Sequence, residues 1–179
     1  MNELIGLLKH QPKNSRISCL ISALEAESIV DLATSADSLG GVWELRWSSA
    51  TQPWLQQAPW LENLQVLDPA TQRGMNLLRL SGPLAGMAAI SVEAQLRLEL
   101  PNRVGVCFCR GGWRGPKIAG LQRLELMKQL NQSFPAWLDI TVLTTNLRVC
   151  RGNVGTIFAL LKRDDLAISD FLPPSKKQK

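Results

Sequence analysis

Between Ile90 and Leu100 the chain alternates without a break. Ile90, Val92, Ala94, Leu96, Leu98 and Leu100 are apolar, and Ser91, Glu93, Gln95, Arg97 and Glu99 stand between them. Successive side chains of a strand point to opposite faces, so this pattern dictates a strand with one face inside and one in water. Such a strand needs partners on both edges, and the chain supplies them. Trp43, Leu45 and Trp47 alternate with Val42, Glu44 and Arg46. Short strands are predicted at Leu64–Leu67 and Met75–Leu80, set apart by the turn signals Asp68-Pro69 and Arg73-Gly74. Pro101-Asn102 ends the long run, Val104, Val106 and Phe108 open the next strand, and Trp137–Leu143 reads as another.

Three stretches lack this periodicity. Thr51–Leu61, with Pro53, Trp54, Pro59 and Trp60, reads as a loop with room for one helical turn, and Arg110–Pro116 reads as a loop. Leu121–Leu130 leaves a short helix and an irregular connection both open.

Ahead of Gly40-Gly41 the period is different. Leu4, Ile5, Leu7 and Leu8 make residues 3–9 a short amphipathic segment that Pro12 ends. Ile17, Leu20, Ile21 and Leu24 follow the i, i+3, i+4, i+7 spacing of a second helix, capped by Asn14 or Ser15 and running to about Glu27. A further helical turn is expected around Ile29–Ala33. A helical start followed by some eight short strands, with one weak helical candidate among them, argues a mainly β antiparallel barrel with the N-terminal helices packed at one end; a sandwich is the alternative. The 179 residues suit a single domain. Within it we distinguish a helical segment over 1–38, a barrel over 39–171 and a basic tail over 172–179.

Hydrophobic content is 45%, yet no stretch approaches the roughly 18 unbroken apolar residues of a membrane helix. The first residues carry neither a secretory nor an organelle-targeting pattern, so a cytoplasmic protein, or a trimmed mature form, is expected. Cys19, Cys107, Cys109 and Cys150 include no CxxC pair and fit buried, reduced thiols; neither a metal nor a cofactor is expected. The net charge of +5 favours anionic partners weakly. Arg110, Arg114 and Lys117 beside Trp113 read as a solvated loop, and no nucleic-acid motif is present.

Near the end, Leu147–Cys150 alternates, Arg151-Gly152-Asn153-Val154-Gly155 offers residues suited to positive φ, and Thr156–Leu161 is almost wholly apolar. This is strand, turn, strand. Arg148 and Arg151 are either solvated edge charges, or one of them stacks on an aromatic ring across a core.

Four motifs share one resemblance. Gly41-Val42-Trp43-Glu44-Leu45-Arg46-Trp47-Ser48-Ser49 looks like the "G-x-W-x-L-x-Y-T-S" opening strand of the fibrillin or plastid-lipid-associated protein (PAP) family. Trp137-Leu138-Asp139-Ile140-Thr141-Val142-Leu143 resembles its "W-L-D-x-T-Y-L" strand, and Leu147 to Phe158 its closing "L-R-I-x-R-G-x-x-G-x-x-F". Arg103-Val104-Gly105-Val106 is similar to its "R-V-x-V". The resemblance covers roughly residues 10–165. Trp47 and Val142 stand where tyrosine is usual, Thr144-Thr145 replaces an acidic pair, and the chain has no tyrosine.

The resemblance implies a lipocalin-like (calycin) barrel, and the missing organelle-targeting pattern leads us to expect a cyanobacterial-type member. Its implied role is non-enzymatic binding or transport of prenylquinones, carotenoids or other lipids at photosynthetic membranes, peripheral to the thylakoid. It pairs Trp43 with Arg148 across one barrel end, within a closure set of Gly41, Asp139, Arg151, Gly152 and Gly155. Asp139 is expected in an ion pair with Arg148 or Arg151. Leu45, Trp47, Leu96, Leu98, Val106, Phe108, Trp137 and Phe158 are the candidate liners of a ligand cavity, and an ordinary core would use the same residues. An interaction protein would instead present Trp54, Trp60, Trp113 and Arg114 to an anionic membrane surface. A bilin-handling lyase shares the barrel, but no acid–thiol arrangement for it is visible. The single histidine, His10, lies far from the strands, which leaves no Ser-His or Cys-His pair for an enzyme.

Overall fold

The computed structural model describes residues 1–52, 55, 58–117, 123–132 and 134–173, with the side chains of Lys117 and Arg123 left aside. Trp54, Leu121 and the tail beyond 173 therefore lie outside the described residues. Three helices, α1 (Asn2–His10), α2 (Arg16–Glu27) and α3 (Leu32–Leu39), precede nine strands. These are β1 (Gly41–Ser48), β2 (Leu61–Asp68), β3 (Arg73–Leu80), β4 (Ala89–Glu99), β5 (Arg103–Lys117), β6 (Arg123–Gln129), β7 (Ala136–Leu143), β8 (Leu147–Gly152) and β9 (Ile157–Lys162).

The sheet runs β4-β3-β2-β1-β9-β8-β7-β5, and β4 also pairs with β5, so eight antiparallel strands close on themselves. Closure removes the free edges that an open sheet would expose. The barrel expected from the alternation is the fold, and the sandwich is not. β6 is the extra strand. The fifteen-residue β5 pairs with β7 through Arg103–Val106 and with β6 through Arg110–Lys117, so its second half and β6 rise above the barrel as a flap.

Two expectations fail here. Arg110–Pro116 continues β5, and Leu121–Leu130 contains β6. Glycines read as loop signals, yet a Cβ on Gly112 would lie 2.0 Å from the Leu126 carbonyl oxygen. That glycine permits close strand approach and does not break the strand.

Both faces of the wall are apolar. Inside, Trp43, Leu45, Leu67, Leu96, Val104, Ile140, Cys150 and Leu160 pack together, and Leu32 and Leu39 of α3 plug that end. Outside, Leu4, Leu8, Ile17 and Ile21 of α1 and α2 are fully buried against Val142, Leu147, Val149, Ala159 and Leu161. Each such side chain contributes about 1.5–3 kcal/mol. A third cluster joins Val42, Leu64, Val66, Met75 and Leu77 to Phe171 and Leu172, which fold back over the outer wall. Thus α3 takes the end position, while α1 and α2 lie on the wall. The third helix starts later than the turn expected at Ile29–Ala33, because the Asp31 side chain accepts from Ala33 N and caps it. At α2, the Asn14 side chain accepts from Arg16 N at 3.0 Å.

The closed and open ends follow from the strand directions. Leu39, Pro69–Thr71, Pro101 and Thr144–Asn146 sit at the closed end; the β1–β2, β3–β4, β6–β7 and β8–β9 connections sit at the open one.

Candidate binding cavity

The closed half of the barrel is solid, and its centre is Arg148. This side chain is fully buried, with its guanidinium carbon 5.1 Å from the centroid of the Trp43 ring. Trp43 Nε1 donates to the Leu39 carbonyl at 2.9 Å, which ties the ring to the end of α3. Arg148 Nη2 donates to Gln65 Oε1, while Nε and Nη1 have no partner among the described residues. Burial pulls the Arg148 pKa below its ordinary value and pushes the neighbouring Cys150 thiol up, an effect that the Arg148 charge opposes. The pairing of Trp43 with Arg148 is as the resemblance implies. On β8 the alternation is inverted relative to a simple barrel: Arg148 and Cys150 point inward, and apolar Leu147 and Val149 point out under the helices.

The other closure residues take different roles. Asp139 pairs with Arg103 at 2.6 Å, not with Arg148 or Arg151: Arg103 and Arg151 both stand opposite it on the neighbouring strands, but Arg151 is held by Glu25 and Arg148 lies inside over Trp43. The Arg103 guanidinium also lies 4.9 Å from the Trp137 ring. Arg151 reaches Glu25 of α2, with Nε 2.9 Å from the carboxylate, and so fastens the helix to the wall. Burial raises the Glu25 pKa, but hydrogen bonds from Arg151 and Thr141 outweigh it and hold the carboxyl below its usual value. Gly41 begins β1 opposite Leu67. In the last turn Gly152 N donates to the Thr156 carbonyl at 2.8 Å, and Gly155 has φ +79°, the one left-handed position of that turn.

Above this floor the barrel opens into a cavity of about 310 Å³. Leu67, Ala94, Leu96, Val106, Phe108, Leu138 and Phe158 form its apolar wall, with Gln65 and Asn76 as polar points on the strands and Gln52, Asn153 and Thr156 as polar points from the open-end connections. Of the expected liners, Leu96, Val106, Phe108 and Phe158 are there, and Trp137 is at the rim. Leu45 and Leu98 pack in the solid half instead. Trp47 is a correction. A bulge between Leu45 and Trp47 changes the register against β9, turning Trp47 outward into the cluster under α1 and α2. Period-2 reading has no means of detecting a bulge.

Gln132 shapes the mouth. Where β5 leaves β7 for β6 its backbone has β4 on one edge and no strand on the other, and the Gln132 amide takes the missing strand's place. Oε1 accepts from Phe108 N at 2.6 Å; Nε2 donates to the Val106 carbonyl at 3.2 Å and to the Phe134 carbonyl at 2.6 Å. This holds Phe134 beside the opening. From there apolar surface continues up the flap through Val92 and Leu130 to Ile90, Trp113 and Leu126. A wider depression of about 920 Å³ adjoins the cavity and shares Val106 and Phe134 with it, but Arg73, Arg97, Glu99 and Gln132 give it a polar lining.

Trp60 and Trp113 are exposed at the open end, by 65% and 41%, and Leu126 on the flap by 70%. Arg114 does not join them. It is 4% exposed on the outer face, where Nη1 donates to the Phe171 carbonyl at 3.1 Å and Nη2 to Glu93 at 2.9 Å, clamping the C-terminal segment. The strand that replaces the expected loop is what turns this arginine into the wall. The thiols also differ from expectation: Cys150 alone is buried, and Cys19 and Cys107 are exposed. Among the described residues no three potential ligands cluster as a metal site.

The PAP_fibrillin family model matches residues 2–161 of the chain. No curated protein and no solved structure matches it.

Proposed function

We propose a lipid-binding role, starting from the fact that the chain belongs to the PAP_fibrillin family. In this reading the protein binds or carries a small hydrophobic molecule, without catalysing its conversion, at a photosynthetic membrane. One observation carries it: the barrel is solid only in its closed half, and its open half is an apolar cavity of about 310 Å³. That volume is at the small end of ligand sites, which span roughly 300–1,000 Å³. It suits one ring or a short stretch of chain. The remainder of a prenylquinone, carotenoid or other long lipid then lies along the apolar strip that leads up the flap.

Contact with the membrane is the second part of the reading, carried by the distribution of exposed apolar side chains. Trp60, Leu84, Met87, Ile90, Trp113 and Leu126 all belong to the open end. A bilayer there would meet the mouth directly. Among the described residues no helix is long and apolar enough to cross a membrane.

Native mass spectrometry of the protein from its source tests the first part. A bound apolar molecule is expected, and an Ala94→Phe variant, which fills the cavity wall, should lose it while remaining folded. Equal retention by the folded variant refutes the cavity as the site. A Trp60→Ser, Trp113→Ser double variant should lose sedimentation with anionic vesicles. Binding that persists refutes the open end as the contact.

A further inference from the structure

Among the described residues Gln52, Asn153 and Thr156 of the open-end connections and Gln65 and Asn76 of the strand wall are the polar lining of the cavity, and the chemistry of the wall pair is set by what lies beneath it. A guanidinium has donors and no acceptor. Arg148 therefore dictates which end of the Gln65 amide faces it: Oε1 is turned to the arginine, and Nε2 is left for the cavity that Gln65 lines. Asn76 stands directly across from Gln65 in the β2–β3 register and lines the same cavity. Opposed side chains on neighbouring strands lie about 5 Å apart at Cβ. Neither Gln65 Nε2 nor the Asn76 amide has a hydrogen-bond partner among the described residues. The buried Arg148 beneath has two donors without partners and no acidic neighbour, so the floor is both donor-rich and positive.

We infer that the site accepts amphiphiles whose inserted end carries a hydrogen-bond-accepting oxygen, a carbonyl or a carboxylate, received by Gln65 Nε2 and Asn76. The inference rests on the lipid-binding reading above and names the ligand chemistry for it. Orientation follows: the oxygen-bearing end enters first, and the hydrocarbon trails over Phe108 and Leu130 onto the flap. A molecule without an acceptor leaves the half-buried Gln65 amide unsatisfied once water is displaced, and the exposed Asn76 amide too where it covers that side chain, which selects against plain hydrocarbons.

Gln65→Glu tests this with almost no change of shape. Its carboxylate still accepts from Arg148, so the fold is kept, but the atom facing the cavity turns from donor to acceptor. Asn76→Leu is the second variant and removes no hydrogen bond of the fold. Calorimetric titration of each variant and of the unaltered protein uses three probes of equal chain length, 2-nonanone, nonanoate and nonane. With Gln65→Glu, ketone affinity should fall about tenfold and nonanoate affinity further, with nonane within about twofold. Asn76→Leu should weaken the ketone and not nonane. Nonanoate bound with no ketone binding assigns the site to carboxylates alone, and the reverse to neutral carbonyls; either still upholds the acceptor requirement. Folded variants that shift all three probes alike, or none, overturn the inference while leaving the cavity as a lipid site. If the unaltered protein binds none of the probes, the lipid-binding reading falls together with it.

Discussion

Arg148→Ala removes the side chain around which the closed half is packed. Three losses follow: a desolvated cation–π contact with Trp43, about 2 kcal/mol; a charged hydrogen bond to Gln65, about 1.5–3 kcal/mol; and a void left by a long buried side chain, about 2–5 kcal/mol. Against them stands the relief of no longer dehydrating a guanidinium that has two unpartnered nitrogens, worth several kcal/mol. The net expectation is a loss of about 2–3 kcal/mol, or roughly 5–10 °C in Tm for a chain of this size. Urea unfolding followed by tryptophan fluorescence measures it. Arg148→Met isolates the electrostatic part, because it keeps most of the volume and removes the charge; it should fall within about 1 kcal/mol of the unaltered protein. An alanine variant unchanged within about 0.5 kcal/mol would refute Arg148 as the structural centre of the floor.

The ion pair between Arg103 and Asp139 is partly exposed, at 41% and 31%, so Asp139→Asn should cost no more than about 1 kcal/mol in the same assay. Phe171→Ala should cost about 3 kcal/mol and open the C-terminal segment to limited proteolysis, since Phe171 is buried on the outer wall and its carbonyl is held by Arg114. A variant as protease-resistant as the parent would show that the segment does not cover the wall. Stability should also depend on acid in a defined direction. Burial raises the pKa of Glu25, Glu62 and Glu93, but hydrogen bonds and charges from arginines outweigh it and set each below the ordinary 4.5. Their contribution is complete above about pH 4.5 and is lost as pH falls below it through the folded values, so the urea midpoint should be flat from neutrality and drop in that range.

How much of this was legible in the sequence differs from residue to residue. The run from Ile90 to Leu100 announces β4 because one strand face meets apolar neighbours and the other does not. Trp43 and Arg148 could be paired through the family resemblance, about a hundred residues apart, and the structure joins them. Val106 and Phe108 were legible as inward-facing for the same reason as β4, whereas Phe158 lies in a run too uniformly apolar for alternation to choose its face. Gln65 and Asn76 were not legible. On β2 Leu64 and Val66 are the apolar residues that flank Gln65, yet both lie outside, covered by Phe171 and Leu172. On β8, α1 and α2 do the same for Leu147 and Val149. Where a barrel wall is covered on its outer face, apolar alternation identifies a strand but no longer says which side is in.

The sequence alone therefore determined the class of fold, because strand periodicity, turn residues and the change of period at Gly40-Gly41 are local properties of neighbouring residues. The tertiary structure decided everything that depends on register and on coverage. A bulge turned Trp47 away from the cavity, and a fifteen-residue strand carried Trp113 onto a flap and Arg114 into the outer wall. One buried guanidinium set the direction of the Gln65 amide. These outcomes rest on which residues meet across strands far apart in the chain, and no short window of sequence contains that meeting.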